Sequence, residues 1–408
     1  MATKIALIGA RLSANLGGPS LLVSTKMALS TVFPDAEYTL FVPPYCYESD
    51  VMLAPKYDVN IAPLYSSKWL LPLALLRRYT RILLGSASAK AFIRSLEKAD
   101  IIVDIVGIIF ADMLRSNTFR VRMFEGFRFA ICKILGKPVI KYTADLGPFN
   151  CRWNRIFASL YLGRFIDLIL ARDEMSRQSV EALGIKTPTI VVPDTAFLLE
   201  SSDSNESKRY ESFRKEGPII GLSVSYQARN RARNTTTYPS IMVDFMSYLI
   251  EKYGVHVVLI PNELSKNANR DDDKLIADEI CAKINSDRCD VLQIDNLLAQ
   301  EIKGVIKQCE VIVASRYHTI VASLSLGIPT LAIGWHHKYQ GVLKLFKQEK
   351  LVCDIDELRL ESLVENFEYV WNNREEIKRT INSCIPEVKE RIVDGAKRVC
   401  DIVSIQHG

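Results

Sequence analysis

The sequence predicts an α/β protein made of two doubly wound domains, each with a parallel sheet. Short β-branched runs alternate with longer stretches whose apolar residues recur at helical spacing, the pattern of strand–helix–strand units. The alternation stops once, in a polar Ser-rich stretch at 200–217, and then restarts. The 408 residues also fit two domains, at roughly 100–200 residues each.

In the first half the expected strands are 4–9, 38–42, 101–106, 138–142, 168–171 and 189–192, with helical spacing at 125–135 and 174–183. Residues 1–199 therefore form the first domain and 200–217 the linker. In the second half the expected strands are 219–225, 256–260, 290–294, 311–314 and 330–333. Helices are expected over 240–252, 274–285, 298–307 and 319–326, with Pro239 suited to a first turn. The second domain is 218–385, and 386–408 is a C-terminal helix expected to pack back on the first. Two such domains place a cleft between them, and ligands in these sheets bind at the carboxyl ends of strands.

Composition narrows the function. Hydrophobic residues make up 48% and charged residues 24%, which excludes a disordered chain. The net charge of +5 suits anionic substrates. No dense Lys/Arg block occurs, which argues against nucleic acid. The nine cysteines include no C-x-x-C pair and read as reduced, mostly buried thiols; no metal site is expected. The N-terminus lacks an apolar signal-like core, and the apolar run 101–114 carries Asp104 and Asp112. That run falls short of the roughly 20 residues a membrane span needs. The expected location is cytoplasmic. Residues 68–93 mix leucines with Arg77, Arg78, Arg81 and Lys90. They read either as an amphipathic hairpin lying on the inner membrane face or as two helices packed on the domain. A homo-oligomer is compatible with the sequence.

Several loops follow strands. The turn after the first strand carries Asn15, Gly17 and Gly18 and opens a helix, where N–H groups favour anions. Its bland reading is a tight turn that needs glycine. Residues 141–149 end in a Gly147-Pro148 turn. Arg172 follows another strand, and its fork suits carboxylate or phosphate; Asp173 beside it reads as an N-cap. Arg229, Arg231 and Arg233 lie in an expected loop after residue 225, either as an anion grip or as a solvated surface. The sharpest feature is Arg316-Tyr317-His318, read as a loop between a strand and a helix that Gly327 and Pro329 end. The following strand delivers His336, His337 and Lys338 toward the same edge. A histidine there is the usual proton donor or acceptor near neutral pH.

Taken together, Asn15-Leu16-Gly17, Gly147-Pro148-Phe149, Arg172-Asp173 with Ser176, Pro193-Asp194-Thr195-Ala196-Phe197, Arg316-Tyr317-His318 with Gly327-Ile328-Pro329, and Lys338 resemble the polysaccharide pyruvyl transferase family. The resemblance runs from Ile5 to about Leu351. It implies two Rossmann-like domains facing a cleft in the glycosyltransferase-B arrangement. It also implies transfer of an enolpyruvyl unit from phosphoenolpyruvate to a sugar, closing a ketal. By that resemblance Arg172, Arg316 and His318 hold or act on phosphoenolpyruvate, with no separate cofactor. The acceptor is a sugar or a lipid-linked oligosaccharide. Two turns depart from the family pattern: Gly18 replaces an acidic residue, and 104–109 lacks a Gly-Gly pair.

The expected roles are general acid/base for His318 and charge stabilisation by Arg316, Arg172 and Lys338. Asn15, Gly17, Arg229 and His337 complete the expected substrate contacts. Two alternatives stand beside this reading. A nucleotide-sugar glycosyltransferase of the same fold would need a carboxylate near a ribose, with Asp354 and Asp356 as candidates in an unconvincing stretch. A non-catalytic subunit of a polysaccharide assembly complex is the other.

Overall fold

A computed structural model describes residues 2–13, 17–65, 67, 69–110, 119–232, 237–263, 272–294, 297–334 and 337–407. The chain divides into two compact units. The first comprises Met1–Ser13, Leu21–Thr195 and Glu390–Gly408; the second comprises Ala14–Ser20 and Ala196–Lys389.

The first unit runs β1 (Lys4–Ile8), α1 (Gly17–Ser30, whose first residues Gly17–Ser20 belong to the second unit), β2 (Glu37–Val42), α2 (Tyr47–Tyr57), β3 (Asn60–Pro63), α3 (Leu70–Thr80), α4 (Ala87–Lys98), β4 (Ile101–Asp104), β5 (Ile108–Ile109), α5 (Phe119–Ile134), β6 (Val139–Leu146), α6 (Arg152–Arg164), β7 (Leu168–Ala171), α7 (Glu174–Glu181) and β8 (Thr189–Val191). The strands pair in parallel in the order β3-β2-β1-β4-β6-β7-β8, with β5 added beside β6. Register is fixed by pairs such as Ile5↔Ile101 and Ile102↔Val139. Strands β4, β6 and β7 are buried along their whole length, as a parallel sheet covered on both faces requires. Strands β3 and β5 escape sequence reading because one is a four-residue edge ending in proline and the other has two residues.

The second unit runs α8 (Asn205–Glu216), β9 (Ile219–Ser223), α9 (Tyr226–Arg231), α10 (Thr237–Tyr253), β10 (His256–Leu259), α11 (Asp273–Ile284), β11 (Cys289–Val291), α12 (Ala299–Ile306), β12 (Val311–Ala314), α13 (Tyr317–Ser325), β13 (Thr330–Gly334), α14 (His337–Lys344), β14 (Val352–Asp354), α15 (Leu360–Asn372) and α16 (Arg374–His407). Its parallel order is β11-β10-β9-β12-β13-β14. In both sheets the strand order reverses beside the first strand, between β1 and β4 and between β9 and β12. Those reversals are where open α/β sheets form binding crevices.

Two expectations change. The stretch 200–217 is not a linker. Most of it is α8, nucleated by a capping box in which the Ser204 hydroxyl accepts from the Ser207 N–H (3.1 Å) and the Ser207 hydroxyl from the Ser204 N–H (2.8 Å). The two units instead divide between Thr195 and Ala196. The arginine loop after Ser225 is helical up to Arg231, because the Ser225 hydroxyl caps it by accepting from the Ala228 N–H (3.3 Å). Residues 68–93 contain parts of two helices, α3 and α4, whose inner faces bury Leu70, Ala74, Ala89, Phe92 and Ile93 in the first unit's core. The last part of α16, from Glu390, belongs to the first unit, where Gly395 lies close against Val192.

Candidate active site

In the second unit the site starts from β12, a fully buried strand at the topological switch. Its successor Ser315 is locked on both sides: its carbonyl accepts from the Tyr339 hydroxyl (2.9 Å), and its hydroxyl pairs with that of Tyr238 (3.0 Å). Arg316 then takes the N-cap position of α13 with an extended backbone (φ −109°, ψ 125°). The helix begins at Tyr317, so His318 lies in its first turn and not in a loop. Arginine has no acceptor for the first-turn N–H groups, and no side-chain cap bond is present.

The Arg316 guanidinium turns to carboxylates. Its Nη2 donates to Asp273 Oδ1 (2.5 Å), and its Nη1 pairs with Glu263 Oε2 (3.1 Å). Burial works against the charge, but Asp273 and then Glu263 outweigh it and raise the Arg316 pKa above its ordinary value. The Nε–H finds no acceptor among the described residues. Asp273 is fully buried and also accepts the N–H groups of Tyr226 (3.0 Å), Asn262 (3.3 Å) and Glu263 (3.1 Å). One carboxylate thus ties the segments that follow β9, β10 and β12. Asn262 adds a second tie, donating to Ser223 Oγ (3.0 Å) and Thr319 Oγ1 (2.6 Å).

His318 meets the start of α1. A Cβ built on Gly17 would sit 2.5 Å from His318 Cε1 and 2.9 Å from each ring nitrogen. Glycine at 17 is what lets the imidazole lie against that backbone. Lys338, on α14, places its ammonium 5.3 Å from the ring centroids of Tyr317 and Tyr339, at the first turn of α13. Gly17, Arg316, His318 and Lys338 are therefore brought together. Arg229 is not a free anion grip. It sits on α9 and pairs with Glu279 (3.1 Å), because the helix turns it toward α11. Asn15 and His336 fall outside the described residues, as does the side chain of His337.

In the first unit Arg172 follows β7 as expected. It is almost fully buried, with Nη1 donating to Asp145 (2.6 Å) and Nη2 pairing with Asp194 (3.1 Å). A Cβ on Gly107 would lie 3.1 Å from its Nη2, so the departed turn makes room for this guanidinium. Asp173 is the expected cap, accepting from the Ser176 N–H (2.7 Å). Beneath lies a buried cluster that the sequence did not reveal. Lys141 donates to Asp104 (2.5 Å) and to the Val106 carbonyl (2.6 Å), and Arg128 donates to the other Asp104 oxygen (2.8 Å). Burial lowers the Lys141 pKa to about 8 against the pull of Asp104. Burial opposes ionisation of Asp104, yet Lys141 and Arg128 hold its pKa below the usual range. Among the described residues no group of three or more His, Cys, Asp or Glu side chains is arranged to hold a metal.

A model of the family described as polysaccharide pyruvyl transferase matches residues 25–337. The chain belongs to that family. It is similar to the amylovoran biosynthesis protein AmsJ of Erwinia amylovora, with 24% identity over 76% of this chain and 74% of that one. Among solved structures it resembles Anabaena HepE in complex with UDP and glucose, with a TM-score of 0.59 and 14% identity over 98% of this chain and 99% of that one. It also resembles a putative UDP-N-acetylglucosamine 2-epimerase of Listeria monocytogenes, with a TM-score of 0.59 and 12% identity over 97% and 94% of the two chains. These likenesses show the fold, two Rossmann-like domains of the glycosyltransferase-B type. The protein is a transferase of polysaccharide modification.

Within this pyruvyl transferase chain, the missed residues are the carboxylates. Asp273 lies 43 positions from the arginine it holds and Asp145 lies 27 positions from Arg172. No local pattern joins such pairs. The only signal for Asp273 is its place just before the expected helix 274–285, where an acidic residue reads as an ordinary cap or dipole partner.

Proposed function

We propose that the protein transfers a pyruvyl group from phosphoenolpyruvate to two hydroxyls of a sugar in a polysaccharide or its precursor. The observation that carries this reading is the first turn of α13 at the switch point of the second sheet. There, in a chain of this family, Arg316 stands in place of a capping side chain and His318 lies one residue inside. Helix N–H groups and arginine forks both suit a substrate bearing a carboxylate and a phosphate. Asp273 fixes the arginine. Glu263, partly exposed, is the partner that a donor anion displaces.

His318 gives a proton to the methylene carbon of phosphoenolpyruvate, and C2 becomes an oxocarbenium-like electrophile. A sugar hydroxyl forms a bond to C2 and returns its proton to His318. The bond from C2 to the phosphate oxygen breaks, and the second hydroxyl closes the ketal, its proton leaving with phosphate. Arg316 and Lys338 stabilise charge on the departing phosphate. The test is incubation with phosphoenolpyruvate and a panel of oligosaccharides, reading phosphate release and an acid-labile mass gain on the acceptor. His318→Ala is expected to lower turnover by about 10²–10⁴-fold. Unchanged turnover in that variant removes the acid/base role.

One observation favours a second reading, transfer from a nucleotide sugar. Residues 352–354, unconvincing in sequence, form the strand β14. Beyond it lies a cavity of about 620 Å³ lined by Tyr238, Ile241, Ile355, Asp356, Glu357 and Arg359, with carboxylates of the kind a ribose takes. UDP binding without phosphoenolpyruvate binding would select this reading.

A further inference from the structure

We propose that the outer face of α3 and α6 docks the protein on an anionic lipid bilayer. The two helices lie in one layer of the first unit, with α5 packed between them. A solvent-facing helix normally carries polar residues on its outer stripe. These two do not. On α6, Phe157, Ala158, Tyr161 and Leu162 face the core, while Trp153, Ile156 and Leu160, at i, i+3 and i+7, are 53%, 43% and 44% exposed. On α3, Leu70 and Ala74 are buried, while Leu75 is 43% and Tyr79 82% exposed. Trp69, Ile82 and Leu84 flank that helix and are more than half exposed.

Charge selects the occupant. Residues 59–96 hold six basic residues (Lys68, Arg77, Arg78, Arg81, Lys90, Arg94) and no acidic one. Residues 146–166 hold Arg152, Arg155 and Arg164 and again no acidic one. Arg81, Arg152, Arg155 and Arg164 are exposed beside the apolar stripes. Arg77 is paired with Glu97 from the next helix and does not add to the field. Tryptophan, leucine and isoleucine interleaved with an excess of arginine match an interface of acyl chains beneath anionic headgroups. Among the described residues no helix is long and apolar enough to cross a membrane.

The test is flotation of the full-length protein with vesicles of phosphatidylcholine alone or mixed with phosphatidylglycerol. Binding is expected only to the mixed vesicles, weakened by salt. Each arginine lost from Arg81, Arg152 and Arg155 should lower partitioning about fivefold, and Trp153→Ser should lower it further while phosphoenolpyruvate binding stays unchanged. No binding to mixed vesicles overturns the proposal. So does mass-measured self-association that Trp153→Ser abolishes, because that outcome assigns the face to a second copy. Donor binding is read separately, so loss of one result leaves the other standing.

Discussion

Gly17 and His318 are distant in sequence and meet because position 17 has no side chain. A methyl group there would overlap the imidazole, and a displacement near 1 Å at a reacting group costs about 10²-fold in rate. Gly17→Ala should therefore lower kcat by about that factor while the thermal unfolding midpoint moves little. Parallel melting and kinetic measurements check this, and unchanged kcat would show that His318 works without that contact. Asp273 makes the opposite prediction. It is buried and serves Arg316 and three backbone N–H groups at once. Its removal leaves an arginine with only Glu263, and Asp273→Ala should cost about 3–5 kcal/mol of stability in urea unfolding. At this scale the sequence marks candidate cations by their place after strands but does not show what holds them. Arg172, Arg316 and His318 stand out after strands and Asp194 within the Pro193–Phe197 motif, whereas Asp145 and Glu263 are ordinary acids until the fold brings them close.

Among the elements, α12 holds the segment that leads into α8. Lys303 is buried on it and donates to the Leu199 carbonyl, and the Ser202 carbonyl packs on Gly304. Burial, then Lys389, lowers the Lys303 pKa to about 7, with Glu200 opposing. An unfolded lysine keeps its proton to about pH 10.4. Between these values the unfolded chain binds one more proton, so stability rises with pH through that window. Lys303→Met should remove a slope of about 1.4 kcal/mol per pH unit between pH 8 and 9, measured as the difference between wild-type and variant urea unfolding. Equal slopes would show that the amine stays charged when folded. The same region shows where local reading fails. Polar composition suggested a linker, but Ser204 and Ser207 supply both halves of a capping box, and the buried Tyr210 anchors the helix in the core. At α13 the reading placed the helix start two residues late, because arginine is not a residue expected to cap.

For the whole molecule, alternation of buried strands and helices was enough to read two parallel sheets, since strands such as 168–171 and 311–314 are apolar throughout. Of the edge strands, β8 and β11 were readable, whereas the four-residue β3 and the three-residue β14 were not. Charge acts at this scale too. The net +5 is modest, but it is unevenly spread, with nine basic and no acidic residues over 59–96 and 146–166 together. The central claim is that the donor is phosphoenolpyruvate. Calorimetric titration of the intact protein with phosphoenolpyruvate, beside UDP, tests it most directly. The account predicts saturable phosphoenolpyruvate binding that Arg316→Ala abolishes, with no heat from UDP. Saturable UDP binding with no response to phosphoenolpyruvate would contradict it and make the protein a nucleotide-sugar enzyme.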